Sequence, residues 1–513
     1  MKSTWIYLVM LVSIFGTLSA QTPNFSEDVA PIIYNNCSGC HHTGGIAPFP
    51  LMTYAEVSGF SVGISGSVSS GSMPPWPIDS LKGGFVHERI LTPAEIQTIV
   101  DWASDGAPEG DANLAPTPPV FTSDYVLGIP DTQLLAPVYT SKATTEDDYV
   151  CFTIPTGLTS DKWVSAIEII PGGGGIVHHA LVFIDEDLSQ IADTSSGQCG
   201  GPTGEVLLGE YVPGSSPIVY PNSGDIKFGV NMKAGSQLIL TMHYPEGSQG
   251  VQDSTKVNLH FYPEGTSGIR PVTAAPVIEQ WTFCIDSNSI DTISVRYPAV
   301  GSLPVKVSVM SVFPHMHLLG QEIKTWAITP TNDSIPLGSI SDWDFEWQSF
   351  YVYKKLIVIP AGSVLYAQAI YDNTSNNHHN PNSPPKQVCA GTNTSDEMFL
   401  VYFQFLAYVV GDENIDINGI LDPLGTRRVP SLNLSKLNVS PNPVESGHSI
   451  NLTIPDNEKY TLSIVGLNGK VVFTEVIEDS QGSYTLKNEL GSGVYLLSLK
   501  NDQQQFLGKV VVK

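Results

Sequence analysis

From Phe121 to about Asn433 the chain is written in short apolar runs, such as Leu238-Ile-Leu-Thr-Met-His-Tyr and Val307-Ser-Val-Met-Ser-Val-Phe, broken by Gly, Pro and Asn. A helix needs a longer stretch of 3.6-residue periodicity than such runs supply, whereas strands closed by turns need only this. The predicted fold class is therefore mainly β, built of sandwiches. Roughly three hundred residues exceed what one sandwich holds. The cleanest break falls at Glu264–Pro276, where Gly and Pro cluster, so two sandwiches are expected, over 121–265 and 270–430.

The flanks read differently. Lys2, the apolar stretch Trp5 to Phe15 and the small residues Thr17-Leu-Ser-Ala20 predict an export signal over 1–20. The apolar run is short for a membrane span, and no later segment is long and apolar enough to cross a bilayer, so an exported chain without a transmembrane segment is expected. Residues 24–108 form a small helical unit, with a short helix over Ser26–Asn35. A second helix begins at Thr92-Pro-Ala-Glu, which offers an N-cap, Pro at the first turn and Glu three on. Residues 109–120, rich in Pro and Ala, read as a linker. The net charge of −26, from 50 acidic and 24 basic residues, argues against nucleic acid, which needs a basic face.

Cys37-Ser-Gly-Cys40-His41 is a haem-attachment spacing: two thiols reach the haem vinyls and the adjacent imidazole reaches the iron. Met73, held between Ser72 and Pro74-Pro75, is the expected sixth ligand, with His42 and His87 as competitors. A Cys37–Cys40 disulfide or a zinc site are the other readings, and zinc finds few further ligands nearby. In an oxidising compartment the remaining cysteines predict two disulfides, Cys151–Cys199 and Cys284–Cys389, among three connectivities.

Five of the 12 histidines fall in apolar strand contexts at ligand-like spacings. His315 and His317, two apart in an extended segment, project to the same side. Met398, arriving from a separate strand, completes a His₂Met set, and a thioether favours Cu(I). His178 and His179 are adjacent and can share a metal only at a strand end or twist, for which Gly172–Gly175 supply freedom. His243 would complete a His₃ set. His378 and His379 lie in a polar loop and are weaker candidates, and His260 and His448 read as packing or surface residues.

These residues carry a family resemblance. His178-His179, Met242-His243-Tyr244, His315-Met-His317 and Ser395-Asp-Glu-Met398 make segment 121–430 similar to the copper type II, ascorbate-dependent monooxygenases, the group of peptidylglycine α-hydroxylating and dopamine β-monooxygenases. The resemblance implies two jelly-roll-like sandwiches with one copper each. His178, His179 and His243 would hold the electron-transfer copper; His315, His317 and Met398 would hold the copper that meets O2 and substrate. Tyr402 matches a substrate-pocket tyrosine. Phe313 stands where the peptide-processing enzymes carry a carboxylate-gripping arginine, which speaks against peptide amidation. Residues 437–513, with Ser440-Pro-Asn-Pro443, Gly466-Leu-Asn-Gly469 and Leu490-Gly-Ser-Gly-Val-Tyr, resemble the sorting domain of Bacteroidetes type IX secretion. The implied protein is a secreted or surface monooxygenase with two coppers, drawing electrons from ascorbate, from the fused haem c or from a redox partner, on a small-molecule or chain-end substrate. A haem and copper electron carrier without oxygenase activity is the rival, and a β-sandwich binding module that keeps the fold but has lost activity is the third reading.

Overall fold

The computed structural model describes residues 22–421, less 46, 122–124, 146, 173–174 and 196–205, and much of 434–513. The expected export signal lies outside the described residues. The chain divides into two compact units, ending and beginning at 425 and 426.

The first unit is built round two four-stranded sheets of the same plan. One comprises Asp148–Pro155 (β1), His179–Asp185 (β2), Val206–Tyr211 (β3) and Gln237–Tyr244 (β4), in the order β1-β4-β2-β3. The other comprises Thr273–Glu279 (β5), Val307–His315 (β6), Tyr351–Ile359 (β7) and Leu400–Ala407 (β8), in the order β5-β8-β6-β7. Each is backed by a second sheet. Lys162–Ile170, Ile226–Met232 and Lys256–Phe261 back the first; Ile290–Tyr297, Gly320–Ile328, Ser334–Ile340 and Val364–Asp372 back the second. The architecture is thus mainly β, with two sandwiches, as the interrupted apolar runs require. The chain passes from one to the other between Arg270–Pro271, paired with Ile226–Met232, and β5, inside the Gly- and Pro-rich break.

Strand periodicity explains how the two sandwiches meet. On β1, Val150, Phe152 and Ile154 point into the first sandwich, while Cys151 points away. On β4, Leu238 and Leu240 face inward and Ile239 outward. The outward residues form a separate apolar layer with Phe183, Leu207, Ala274, Phe313 and Phe350, against which Tyr402 packs. The β1–β4 and β5–β8 sheets therefore bury both faces. That is why their sequences read as near-continuous apolar runs instead of strict alternation.

The N-terminal region carries the helices Ala30–Asn36 (α1), Tyr54–Gly59 (α2), Ser61–Ser70 (α3) and Pro93–Ser104 (α4) around Phe25, Ile33, Val57, Ile99 and Trp102. The Thr92 capping box forms as its sequence predicts. The helix expected over Ser26–Asn35 is instead a wide π-turn, Phe25–Val29, leading into α1, with Pro31 early in α1. A Pro there has no N–H to give, so the hydrogen-bond pattern changes at that point. Residues 76–89 leave this helical core: Ile78 and Phe85 sit in the second sandwich's core, and Val86 N–H donates to Val352 O at 2.7 Å. The 24–108 region is therefore fastened to the β-structure and is not a bead on a linker.

Cys284 and Cys389 form the expected disulfide, facing each other across a short two-stranded ribbon. Cys151 is disulfide-bonded; its expected partner, Cys199, lies outside the described residues. The second unit has its own two sheets and a core including Leu452, Tyr460, Leu462, Leu497 and Val510.

Candidate metal centre

Both ligand sets sit at one end of the central strand pair of their sheet. His179 opens β2 and is the register partner of His243 on β4. His178 precedes the strand, so adjacent histidines need not face opposite ways; its backbone N–H donates to His243 O at 3.0 Å. Gly175, at φ +64, makes the preceding turn that a side chain would strain. The three rings converge through one kind of atom. Nδ1 of His179 is 3.1 Å from Nδ1 of His178 and 3.3 Å from Nδ1 of His243. Metal–nitrogen bonds of ~2.0–2.1 Å put neighbouring ligand atoms about this far apart. Among the described residues this is the one cluster of three or more His, Cys, Asp or Glu with metal-binding proximity.

Two of the three imidazoles, His179 and His243, are pushed toward the neutral form that ligation needs. Burial drives the pKa of His179 well below its ordinary value, with repulsion from His243 and His178 adding to it. Burial also lowers His243, against the opposing pull of Asp147. The far nitrogens meet carboxylates. His178 Nε2 is 2.6 Å from Glu346 Oε2 and His243 Nε2 is 3.0 Å from Asp147 Oδ2, the second contact lying off the in-line hydrogen-bond direction. Such partners fix which nitrogen faces the metal. Tyr149 stacks on His243 with centroids 4.3 Å apart.

On the second sheet His315 ends β6 and His317 lies just past it, with Met316 between them turned into the core. The two rings are 5.3 Å apart, so the two-residue spacing does put them on one side. His315 Nε2 lies 3.2 Å from Met398 Sδ. His317 Nδ1 faces Asp396 O at 3.1 Å, leaving Nε2 free for a metal. Burial pulls His315 down to about 4 and His317 to about 3, the latter also repelled by His315. Met398 does not come from within a strand as expected; it precedes β8. What holds it is Glu397, fully buried, which accepts backbone N–H bonds from His317 at 3.0 Å, Leu319 at 2.6 Å and Met398 at 3.1 Å. Burial raises Glu397 to about 8 despite these three donors.

Residues 343–348, between the second sandwich's strands, join the two sets. Trp343 Nε1 donates to His317 O at 3.1 Å. Phe345 stacks on His178, with centroids 5.4 Å apart, and meets His317 edge-on at 6.0 Å. Glu346 holds His178, and Gln348, whose Nε2 donates to Phe345 O at 2.7 Å, lies beside His315. Thr394, in the loop before Met398, likewise reaches across to the Tyr149 hydroxyl.

With both ligand sets and their cross-links in place, residues 292–417 match the family described as "Copper type II ascorbate-dependent monooxygenase, C-terminal domain". The second sandwich is thus similar to the C-terminal domain of the copper type II monooxygenases. The family is copper-dependent and uses ascorbate as its usual electron donor. The matched segment contains His315, His317 and Met398; the His₃ set lies N-terminal to it and rests on its own geometry. Residues 438–513 match "Secretion system C-terminal sorting domain", and the chain is exported by type IX secretion to the cell surface or medium. No helix among the described residues is long and apolar enough to cross a membrane. No curated protein matches the chain. Solved structures align only weakly. Faecalibacterium prausnitzii β-glucuronidase is 12% identical, with 44% of this chain and 36% of that one covered and a TM-score of 0.13. A biofilm-associated protein BSP domain is 8% identical over 77% and 84%, with a TM-score of 0.14. The chain thus spans about a third of the glucuronidase's length.

The other expected site residues fall as follows. Tyr402 stacks on Phe313 at 5.6 Å within the apolar layer, and Phe313 stands between it and His315. Phe313 is buried and supplies no charge. Cys37 and Cys40 are free thiols, not a disulfide. His41 Nδ1 meets Phe49 O at 3.0 Å, which leaves Nε2 available to an iron, so these three fit a c-type haem. Met73 is 43% exposed, and its backbone N–H donates to Ser67 O. His42 stacks on Phe121 at 4.0 Å, His87 has a φ of +56, and His378 and His379 are exposed. Sequence reasoning missed Asp147, Phe345, Glu346 and Glu397. Only Glu397 left a signal, as a carboxylate beside Met398 and before the apolar run Met398–Phe403.

Proposed function

We propose that the chain is a copper-dependent monooxygenase that hydroxylates a C–H bond with O2, its electrons supplied by ascorbate or through a haem c on Cys37 and Cys40. The observation that carries this is the pairing of a His₃ focus with a His₂Met set through one short segment, residues 343–348. Hydroxylation of R–H by O2 to R–OH and H2O takes two electrons and two protons, which calls for two one-electron sites in one protein. When bound, copper supplies the one-electron redox chemistry and the activation of O2.

The chain's own residues do the rest. His178, His179 and His243 would hold one ion through Nδ1. His315, His317 and Met398 would hold the other, Met398 giving the soft donor that suits the reduced state. Asp147 and Glu346 orient His243 and His178 through their far nitrogens. Phe313, Phe350 and Tyr402 form an apolar wall that excludes water near His315. Phe313 itself offers no cation to a carboxylate, which supports a neutral substrate over a peptide acid gripped at that position. Met73 is the proposed sixth haem ligand. The domain limits we propose are 24–108 for the haem region, 121–265 and 270–430 for the two sandwiches, and 437–513 for the sorting domain.

The test is copper per chain together with O2 uptake across a substrate panel with ascorbate. Two coppers in the wild type, one in His315→Ala, and O2 consumed in step with a hydroxylated product are expected. Met398→Ala should abolish that uptake with the circular dichroism unchanged. Copper without product-linked O2 uptake would favour the electron-carrier reading, and a chain that binds no copper would sink both.

A further inference from the structure

Arg89 is a cation that neither ligand set uses. It lies on the segment fastened into the second sandwich, and its guanidinium donates to Gly214 O and sits over Trp347, 6.0 Å from the ring centroid. Among the described residues no carboxylate lies within ion-pair distance of it, so a largely enclosed charge with five donors meets only a neutral carbonyl. Arg89 faces a shallow hollow lined also by Pro75, Trp76, Val212 and Ser215. Trp76 Nε1 is buried in the structure and has no hydrogen-bond partner. An unpaired guanidinium and an indole N–H without a partner thus belong to residues of one lining.

That space adjoins the cysteine pair. Gly214 has φ +79, and a Cβ there would come within 2.5 Å of Cys40 Sγ, 3.3 Å of Arg89 Nη1 and 3.4 Å of Trp347 Cη2. Only glycine lets these three groups approach together. Trp347 in turn follows Phe345 and Glu346, which touch His178 and His317.

We propose that Arg89 and Trp76 form a binding site for an oxyanion of the electron donor, seating that donor against Trp347 on the segment that reaches both metal-ligand sets. This rests on the redox reading above. Two donors carry such a group: the carboxylate arm of a haem on Cys37 and Cys40, and free ascorbate as its enolate. Charge-assisted bonds of this kind, in a poorly solvated site, are the strong ones.

The experiment uses the full mature chain as wild type, Arg89→Gln, Arg89→Lys and Trp76→Phe. Covalent haem is first measured by mass and by haemochrome spectrum. Where haem is attached, Arg89→Gln should lower its midpoint potential, because removing a positive charge favours the ferric state. The potential should also begin to rise as pH falls, since the freed carboxylate now titrates. Trp76→Phe should shift it the same way by less, and Arg89→Lys should restore most of the wild-type value, which a merely structural role would not predict. If ascorbate is the occupant, the potential stays put and calorimetry under argon shows ascorbate binding weakened at least about tenfold in Arg89→Gln and Trp76→Phe. Unchanged potentials together with unchanged ascorbate binding overturn the site. A chain with no covalent haem overturns the haem reading separately, and the ascorbate titration then decides the site alone.

Discussion

At the scale of single residues the His₃ focus depends on two carboxylates that differ in exposure, and that difference sets their weight. The Asp147 side chain is 23% exposed and that of Glu346 64% exposed. The Asp147 carboxyl is held at about 2: burial pushes it up, but the His243 ring 3.0 Å away and bonds from Glu246 N–H and Thr394 outweigh burial. Removing a partner of a metal-bound histidine costs about 10–100-fold in metal affinity. Asp147→Ala should fall at the upper end and Glu346→Ala near tenfold, read by competition with a copper chelator, and equal losses would contradict the ranking. Glu397 does a different job. Its replacement by Ala would leave three backbone N–H groups buried without an acceptor, at about 1–3 kcal/mol each. Glu397→Ala should therefore unfold at lower urea and lose the His₂Met copper while keeping the His₃ copper. The ligands were legible because their spacing is local: two apart at 315 and 317, adjacent at a strand end at 178 and 179. Their supports were not, because His178 and Glu346 are 168 residues apart and nothing local announces the pair.

At the scale of elements, one ion pair ties the sandwiches at their crossover. Arg270, just before β5, makes a two-pronged bond to Asp412 at 2.6 and 2.8 Å and donates to Ala407 O at the end of β8. Ser308 on β6 and Val409 N–H also donate to Asp412. Burial raises the Asp412 carboxyl, but these partners prevail and hold it below its ordinary value. A carboxyl depressed on folding stabilises above its unfolded pKa of about 3.9 and loses that contribution as pH falls through the folded value. Asp412→Asn should cost about 3 kcal/mol at pH 7, where one partner of a buried pair is removed. The difference from wild type should shrink below about pH 4, as urea melts at both pH values would record. A penalty independent of pH would assign Asp412 a packing role only. Element identity was legible where local chemistry sufficed, as in the Thr92 capping box or the β4 and β6 runs. The both-sided burial of β1–β4 and β5–β8 was not, since an apolar run does not say what covers its second face. Nor did the 24–108 composition reveal that Ile78 and Phe85 belong to another core.

At the scale of the molecule, the chain joins a unit ending at 425, which carries both candidate ligand sets, to a sorting unit from 426 on. The first contains all six copper-ligand candidates; the second is closed by its own core of Leu452, Tyr460, Leu462 and Leu497. A ligand that binds only the folded state stabilises it by RT ln(1 + [L]/Kd), about 2.7 kcal/mol at a hundredfold excess over Kd. Copper added to the metal-free chain should therefore raise the calorimetric transition of the first unit. Because the His₃ and His₂Met sets lie on different sandwiches cross-linked by residues 343–348, either ion alone should stabilise both sandwiches together, as one transition. The second unit should melt at the same temperature with and without copper, and deleting 438–513 should leave the first transition where it was. Two separate copper-sensitive transitions would mean that Phe345, Glu346 and the Phe313 layer do not couple the sandwiches. A single transition that includes the sorting unit would mean that the division at 425 does not govern stability. Phe345→Ala is the sharper probe, since it removes the ring shared by His178 and His317 and leaves every ligand in place. It should split the copper-sensitive transition in two, with the His₂Met half following Met398.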